Sequence, residues 1–373
     1  MKKSPSQGRL RHKSLLWDGR TRRYKLNVHR AKLLPLIYPR SGDSVFFRRL
    51  EHVFQPFMFL TLIDRITSSD VILVYSPPLL LGYLGSILGK LLNIPTIVNV
   101  QDIHPDALVD LGLLNNPVLI KIFEVIERLM YKFADVLTVH GVGNKNVVVE
   151  HGVSPNKVLT VHNACYIPPL NILREGNQFR QKYSLENSFV VTYAGIMSSS
   201  QDLHTIVEAA KLLSRKLQDV VFVLAGNGPE REELEFLIKK LKVSNILLLP
   251  FQASTDYWQL LAASDVCLVP LKRKVKTPVI PRKLMDIMAA ARPVVANVPL
   301  DGDVASIIEK VGSGMVVEPE NTQVLAQALK RIHDMNSEDR LRMGQNGRFF
   351  ALRNFSIGMM AGKYEAIFLF LKG

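Results

Sequence analysis

Residues 189–226 read FVVTYAGIMSSSQDLHTIVEAAKLLSRKLQDVVFVLAG. Two apolar runs, 189–195 and 220–226, each close on Ala-Gly and enclose a helical pattern at 203–216. The runs are unbroken rather than alternating, which a strand needs when both of its faces are covered. Two such strands joined by a helix form one turn of a parallel, doubly wound sheet.

The same grammar extends in both directions. Upstream, VILVY (71–75), TIVNV (96–100), VLTV (136–139) and KVLTV (157–161) read as strands. Downstream follow ILLLP (246–250), VCLVP (266–270), PVVAN (293–297) and GMVVEP (314–319), with a helix over Pro229–Leu241 carrying acids near its start. Pro168 and Pro169 interrupt the pattern, which places a linker around 166–184. The expected architecture is α/β, with two Rossmann-like doubly wound domains over 46–168 and 169–355. An irregular basic start covers 1–45. A helix over 356–373 closes the chain and crosses back to the N-terminal domain, with Met359, Met360, Tyr364, Ile367 and Phe368 on one side.

Length and charge narrow the function classes. A chain of 373 residues suits two cores. The formal net charge is +14, but residues 1–32 hold 11 Lys/Arg against Asp18, leaving about +4 for the other 341 residues. No zinc-finger spacing, RNA-recognition signature or aromatic-interleaved basic strand accompanies the basic arm, so nucleic acid is not an expected partner. An anionic membrane face suits the arm, and so does plain solvation as a tail. VFFRRLEHVFQPFMFLTLI (45–63) could seat on a membrane surface or bury as a helix against the first sheet. No stretch reaches the ~20 apolar residues of a membrane span. Two cysteines, Cys165 and Cys267, cannot form a disulfide framework, and Cys267 reads as core. Together these features point to the cytoplasm, at most peripheral on the inner membrane face.

Two strand-to-helix turns carry the candidate chemistry. In VVFVLAGNGPEREELE (220–235), Gly226, Asn227 and Gly228 leave room for close approach of a ligand, and the helix behind offers free N–H groups to an anion. A plain connection explains the same turn. In VPLKRKVKTPVIPRKLMDIMAAARPVV, from Val269, a basic loop (Lys272, Arg273, Lys274, Lys276) precedes Pro281, Arg282 and Lys283. Basic residues in a helix's first turn oppose the macrodipole, a cost that makes sense where a diphosphate docks. Asp286, one turn on, could accept hydrogen bonds from ribose or sugar hydroxyls. A solvated loop and an exposed helix carboxylate are the plainer readings. Asp102 and His104 follow strand TIVNV at its carboxyl end, where open α/β sheets bind ligands, and His140 follows VLTV.

Taken in order, these stretches resemble glycosyltransferase family 4, retaining enzymes of the GT-B fold. YAGIMSSSQDLHTIVEAAKLL resembles the family's phosphate loop and its helix, LAGNGPEREELE its glycine turn, and LLLPFQASTDYWQLLAASDVCLVPL the segment beside the nucleobase. PRKLMDIMAAARPVVA resembles the signature helix and GQNGRFFALRNFS the tail motif. SPPLLLGYLGSILGKLLNIPTIVNVQDIHPDALVDLGLL and VSPNKVLTVHNA are similar to a subgroup working on lipid-linked or exported polysaccharide. The likeness covers roughly residues 70–355 and begins about one βα unit after the family's usual first strand and glycine-rich loop.

The resemblance implies transfer of a hexosyl unit from a nucleotide sugar, UDP-linked, to a lipid-linked saccharide or polysaccharide, with no metal and no further cofactor. It implies donor contacts at Gly195, Gln201, Gly226, Asn227, Gly228, Phe251, Arg282, Lys283 and Asp286, and acceptor-side roles for Asp102 and His104. The chain departs from the family at Ile196 and Gln201, where the phosphate loop usually carries Arg and Lys. The usual E-x7-E pair stands as Pro278 and Asp286, and the glycine after the helix is Ala291. A non-catalytic scaffold and a nucleotide-sugar epimerase stay open as alternatives. A nicotinamide oxidoreductase does not, since Arg231 occupies the place of the third glycine in G-x-G-x-x-G.

Overall fold

The computed structural model describes residues 66–169 and 176–372. Expectations for the basic arm and for 45–63 lie outside the described residues.

Two parallel sheets organise the chain. The first has the order β1-β2-β3-β4, from Ile72–Ser76, Thr96–Val100, Val136–Val139 and Val158–Thr160. Every residue of β2 and β3 is buried, as unbroken apolar runs require. The helices around this sheet are α1 (Leu79–Leu92), α2 (Asp106–Asp110), α3 (Pro117–Phe133) and α4 (Val142–Glu150). Asn116 caps α3, its side chain accepting from the N–H groups of Val118 and Leu119 ahead of Pro117 at the first position.

The second sheet runs β10-β9-β8-β5-β6-β7. Its strands are β5 (Phe189–Ile196), β6 (Val220–Asn227), β7 (Ile246–Leu249), β8 (Val266–Pro270), β9 (Val294–Asn297) and β10 (Gly314–Val317). Its helices are α5 (Gly176–Lys182), α6 (Leu203–Ser214), α7 (Arg231–Leu241), α8 (Ser254–Ala263), α9 (Arg282–Ala289), α10 (Asp303–Val311), α11 (Thr322–Asp334) and α12 (Ser337–Asn354). The chain winds outward from β5 to β7, then returns to the other side of β5 with β8. The winding reverses between β5 and β8, and the loops leaving these two strands splay apart there into a crevice. Cys267 is fully buried in this domain's core, and both cysteines are free.

Helix α7 starts at Arg231, two residues later than the sequence suggested. Pro229 and Glu230 belong to the turn, and Glu230 N–H donates to Met197 O at 3.1 Å. Arg231 clamps two strand ends, donating through Nη1 to Gly226 O at 2.6 Å and Leu249 O at 3.0 Å. A guanidinium satisfying two carbonyls is the reason this position is not a glycine.

The last helix, α13 (Ile357–Lys372), lies on the first sheet. Met360, Tyr364, Ile367, Phe368 and Leu371 pack against Ile97, Val136 and Val161. Tyr364 receives a hydrogen bond from the Asn99 side-chain amide and stands 3.1 Å from Thr138 Oγ1. Met359, expected on this face, is exposed, because it is offset about 100° from the 360/364/367 row.

Ala291, where the family resemblance expects glycine, adopts φ 56° in the turn after α9. The left-handed conformation costs an L-residue roughly 1–2 kcal/mol, partly offset by the entropy a glycine would lose on folding. Ala291→Gly is therefore expected to stabilise the C-terminal domain by about 0.5–1 kcal/mol, read as a higher denaturant midpoint. An unchanged or lower midpoint would show that the turn absorbs the methyl group without strain.

Candidate functional site

The crevice at the β5/β8 divide is a cleft of about 480 Å³, walled by Ala194, Gly195, Ile196, Ser198, Ser200, Gln201, Ala225, Phe251, Gln252, Tyr257, Arg282, Lys283 and Asp286. Six expected donor residues meet here: Gly195, Gln201, Phe251, Arg282, Lys283 and Asp286. They come from three separate units, at the carboxyl ends of β5, β7 and β8, which the sheet order brings together.

Lys283 is the centre of the arrangement. Pro281 caps α9 with an extended backbone, and Arg282 and Lys283 fill its first turn. The Lys283 ammonium lies 4.4 Å from the centroid of the Tyr193 ring, donates to Tyr193 Oη at 3.3 Å, and donates to Gln201 Oε1. The side chain is half-buried overall. Burial pushes its pKa down to about 7. A cation over an aromatic face with only neutral oxygens around it is a site waiting for negative charge.

Asp286 is buried at the cleft wall. Its Oδ2 accepts from Tyr257 Oη at 3.2 Å and lies 3.5 Å from Arg282 Nε, while Oδ1 has no hydrogen-bond partner among the described residues. Burial raises the carboxyl's pKa, opposed by the Arg282 charge and the Tyr257 hydrogen bond. Arg282 itself is exposed and lines the cleft beside Asp286. A second recess shares Tyr257, Arg282 and Asp286 with the cleft and adds Tyr166, Ser254, Thr255 and Trp258.

The glycine turn serves the cleft from behind. A Cβ on Gly226 would stand 1.9 Å from Gly195 O, and one on Gly228 2.3 Å from Met197 O. Met197 N–H donates to Asn227 O at 2.9 Å. Gly226, Asn227 and Gly228 therefore brace the backbone of the loop after β5 and do not line the cleft, contrary to the sequence reading. The Asn227 side chain, exposed, accepts from the next N–H.

The basic loop after β8 also differs from expectation. Lys272 lies 3.5 Å from Glu230, and Arg273 lies 3.8 Å from Glu318. Lys272 and Arg273 are drawn to acids of their own domain, and no basic residue of this loop lines the cleft; only Arg282 and Lys283, in the first turn of α9, do.

Asp102 and His104 sit on the loop after β2, at the carboxyl end of the first sheet, and are not among the cleft's lining residues. Asp102 is exposed and His104 half-buried. His140 is the better-placed histidine. It is buried, its Nε2 accepts from Ile280 N–H of the other domain at 3.5 Å, and its Nδ1 has no hydrogen-bond partner among the described residues. Burial lowers its pKa, opposed by the nearby carboxylates Asp102 and Asp303.

Sequence reasoning missed Tyr193 and Tyr257. Each sits inside an apolar pattern where an aromatic reads as core, and both hydroxyls reach the site only through packing. It also missed Asp202, which ties the phosphate-type loop to the sheet. Asp202 Oδ1 accepts from Thr205 Oγ1, and Oδ2 accepts from Asn297 Nδ2 at 2.9 Å and Glu320 N–H at 2.7 Å.

Residues 175–349 match the model of a known family, the glycosyl transferases group 1. The chain is 25% identical over 338 residues to the probable glycosyltransferase WbjE of Pseudomonas aeruginosa, covering 88% of this chain and 82% of that one. It is 25% identical over 307 residues to WcaI of Escherichia coli K12, whose name ties it to colanic acid biosynthesis, covering 80% and 74%. Among solved structures, Anabaena HepE in complex with UDP superposes with a TM-score of 0.68 at 18% identity, over 83% of this chain and 81% of that one. The sucrose-phosphate synthase of Thermosynechococcus elongatus superposes with a TM-score of 0.69 at 16% identity, over 90% and 81%. Two parallel sheets in this order, a cleft at the β5/β8 divide and these likenesses agree: the chain has the GT-B fold, and its C-terminal domain matches the glycosyl transferases group 1 over residues 175–349.

Proposed function

We propose that the chain transfers a hexosyl unit from a UDP-sugar to a lipid-linked saccharide or polysaccharide, with retention of anomeric configuration and without a metal ion. The observation that carries this reading is the Lys283 ammonium, set in the cleft with no carboxylate partner among the described residues. Lys283, Arg282 and backbone N–H groups near Gly195 stabilise the leaving diphosphate, where negative charge develops during transfer. The free Oδ1 of Asp286 accepts from a ribose or sugar hydroxyl. Phe251 lies beside the base. On the acceptor side, Asp102 and His104 hold the incoming hydroxyl, with His140 behind them. The UDP in the HepE complex and the colanic acid biosynthesis in the name of WcaI support the donor and acceptor classes.

Calorimetric titration with UDP, with GDP and ATP as controls, tests the donor half. Micromolar UDP binding with weaker GDP and ATP is the expected result. A folded sample that binds none of the three would leave the reading of a non-catalytic scaffold, which the replacement of basic residues by Ile196 and Gln201 favours.

The proposal includes an anionic membrane face as the place where the acceptor is met. Among the described residues no helix is long and apolar enough to cross a membrane. Helix α3, however, exposes Val118, Leu119, Ile122 and Val125, interleaved with the exposed Lys121 and Arg128. Apolar residues flanked by long basic ones suit an interfacial helix. Co-sedimentation with phosphatidylglycerol vesicles is expected, and Ile122→Asp should lower the bound fraction several-fold. Equal binding by the variant would remove α3 from the contact.

A further inference from the structure

The loop between β8 and α9 ends in the two basic residues of the cleft, yet the other domain holds its path. Asp110 Oδ2 accepts from Thr277 N–H at 2.6 Å, Thr277 Oγ1 at 2.5 Å and Lys276 N–H at 3.1 Å. Asn144 Nδ2 donates to Pro278 O at 2.8 Å, and Ile280 N–H reaches His140 Nε2. Three residues beyond Ile280, with Pro281 capping the helix between, stands Lys283. A shift of this loop is therefore a shift of the first turn of α9.

The placement of Asp110 makes little sense within its own domain. It is the last residue of α2, where a carboxylate opposes the helix dipole and where α2 carries no basic residue. One oxygen nonetheless collects three donors from a segment 166 and 167 positions away in sequence. Charge-assisted hydrogen bonds to backbone N–H groups are the strong kind, and three on one oxygen define a position. The other end of α2 is anchored as well, since Asp106 Oδ2 lies 3.4 Å from His151 Nε2. Helix α2 follows directly on the loop that carries Asp102 and His104, so it is a short strut. One end is fixed behind the acceptor-side loop and the other grips the loop of the donor side.

We infer that Asp110 is a positioning residue for the donor site: by holding Thr277 and Lys276 it sets where Lys283 and Arg282 stand, and it couples the seating of the diphosphate to the docking of the N-terminal domain. The inference rests on the donor reading above. It assigns no contact between Asp110 and substrate; Asp110 acts through the loop.

Four variants test it: Asp110→Ala, Asp110→Asn, Thr277→Val, and the double variant Asp110→Ala/Thr277→Val. Each is titrated with UDP, melted, and measured by small-angle scattering without ligand. Asp110→Ala is expected to weaken UDP binding about fivefold or more and to enlarge the radius of gyration, with an unchanged melting temperature. Asp110→Asn keeps an oxygen that accepts from the same N–H groups and should restore most of the affinity. Thr277→Val should cost less than Asp110→Ala and add little in the double variant, because the two share one interaction. Wild-type affinity and dimensions in Asp110→Ala would overturn the inference. So would a lowered melting temperature with unchanged UDP affinity, the mark of a merely structural role. If the wild-type chain binds no UDP, the donor reading falls first. The scattering comparison then decides the loop contact alone, an unchanged radius of gyration overturning it and an enlarged one upholding it.

Discussion

Lys283→Met is expected to lower donor turnover at least about tenfold and to weaken UDP binding by a similar factor, while making the protein more stable at neutral pH. Both effects follow from one environment. The Lys283 ammonium has the Tyr193 ring, the Tyr193 hydroxyl and the Gln201 carbonyl as neighbours, and burial brings its pKa to about 7. In the unfolded chain it titrates near 10.5. Between these two values the unfolded state binds more protons than the folded one, so wild-type stability rises with pH across that window. The destabilisation is full below pH 7 and gone above about 10.5. Methionine removes the charge and keeps the stem, so the stability gap between variant and wild type should close as pH rises from 7 toward 10. Ligand binding works the other way. A diphosphate favours the charged ammonium, so at pH 8, where UDP is itself fully ionised, binding should take up close to one proton in the wild type and none in the variant. Titrations in buffers of different ionisation enthalpy read this number directly. No proton uptake at pH 8, with UDP bound, would place the diphosphate away from Lys283.

The second large effect is expected far from the cleft. Glu127→Ala should destabilise the N-terminal domain by about 3 kcal/mol, because it breaks a buried charged pair from one side. Glu127 is buried in α3, accepts from Tyr131 Oη at 2.7 Å and lies 3.1 Å from His151 Nδ1. His151 also faces Asp106, and hydrogen bonds to Asp106 and Glu127 raise its pKa to about 10. A folded-state pKa above the unfolded 6.5 means that this stabilisation is fully present below pH 6.5. It is lost as pH climbs from 6.5 through about 10. His151→Ala should therefore flatten the alkaline limb of the wild-type stability profile. Urea midpoints between pH 6 and 10 test this, and a variant that parallels the wild type would dissociate His151 from it. The same histidine holds α2 through Asp106, so loss of Glu127, which fixes the other side of the imidazole, should also loosen the grip of Asp110 on Thr277.

These two sites differ in how far the sequence revealed them. Lys283 was legible because local rules conflict there: a basic residue in a helix's first turn is disfavoured unless an anion compensates. Gln201 and Phe251 were found through resemblance rather than through their own chemistry. Nothing marked Glu127 or His151. They lie 24 positions apart, one within α3 and the other just past the end of α4, and a glutamate inside an amphipathic helix reads as surface until packing buries it. Tyr193 and Tyr257 were hidden for the opposite reason, since an aromatic in an apolar run reads as core and its hydroxyl goes unnoticed. Gly226 and Gly228 were read as places where a ligand comes close, and the structure sets the Gly195–Met197 backbone against them.

The sequence by itself determined the elements and the class of fold. A short unbroken run rich in β-branched residues and bounded by turn residues fits a covered parallel strand, and those cues are local, so strands such as 96–100, 136–139 and 266–270 could be read to the residue. Tertiary structure alone decided which loops meet. The order β10-β9-β8-β5-β6-β7 opens a crevice beside β5, and it brings Lys283 to Gln201 across 82 positions and Thr277 to Asp110 across 167. Those pairings depend on sheet order and on the docking of two domains. Both are settled by the burial of whole faces at once, and no short stretch of sequence records them.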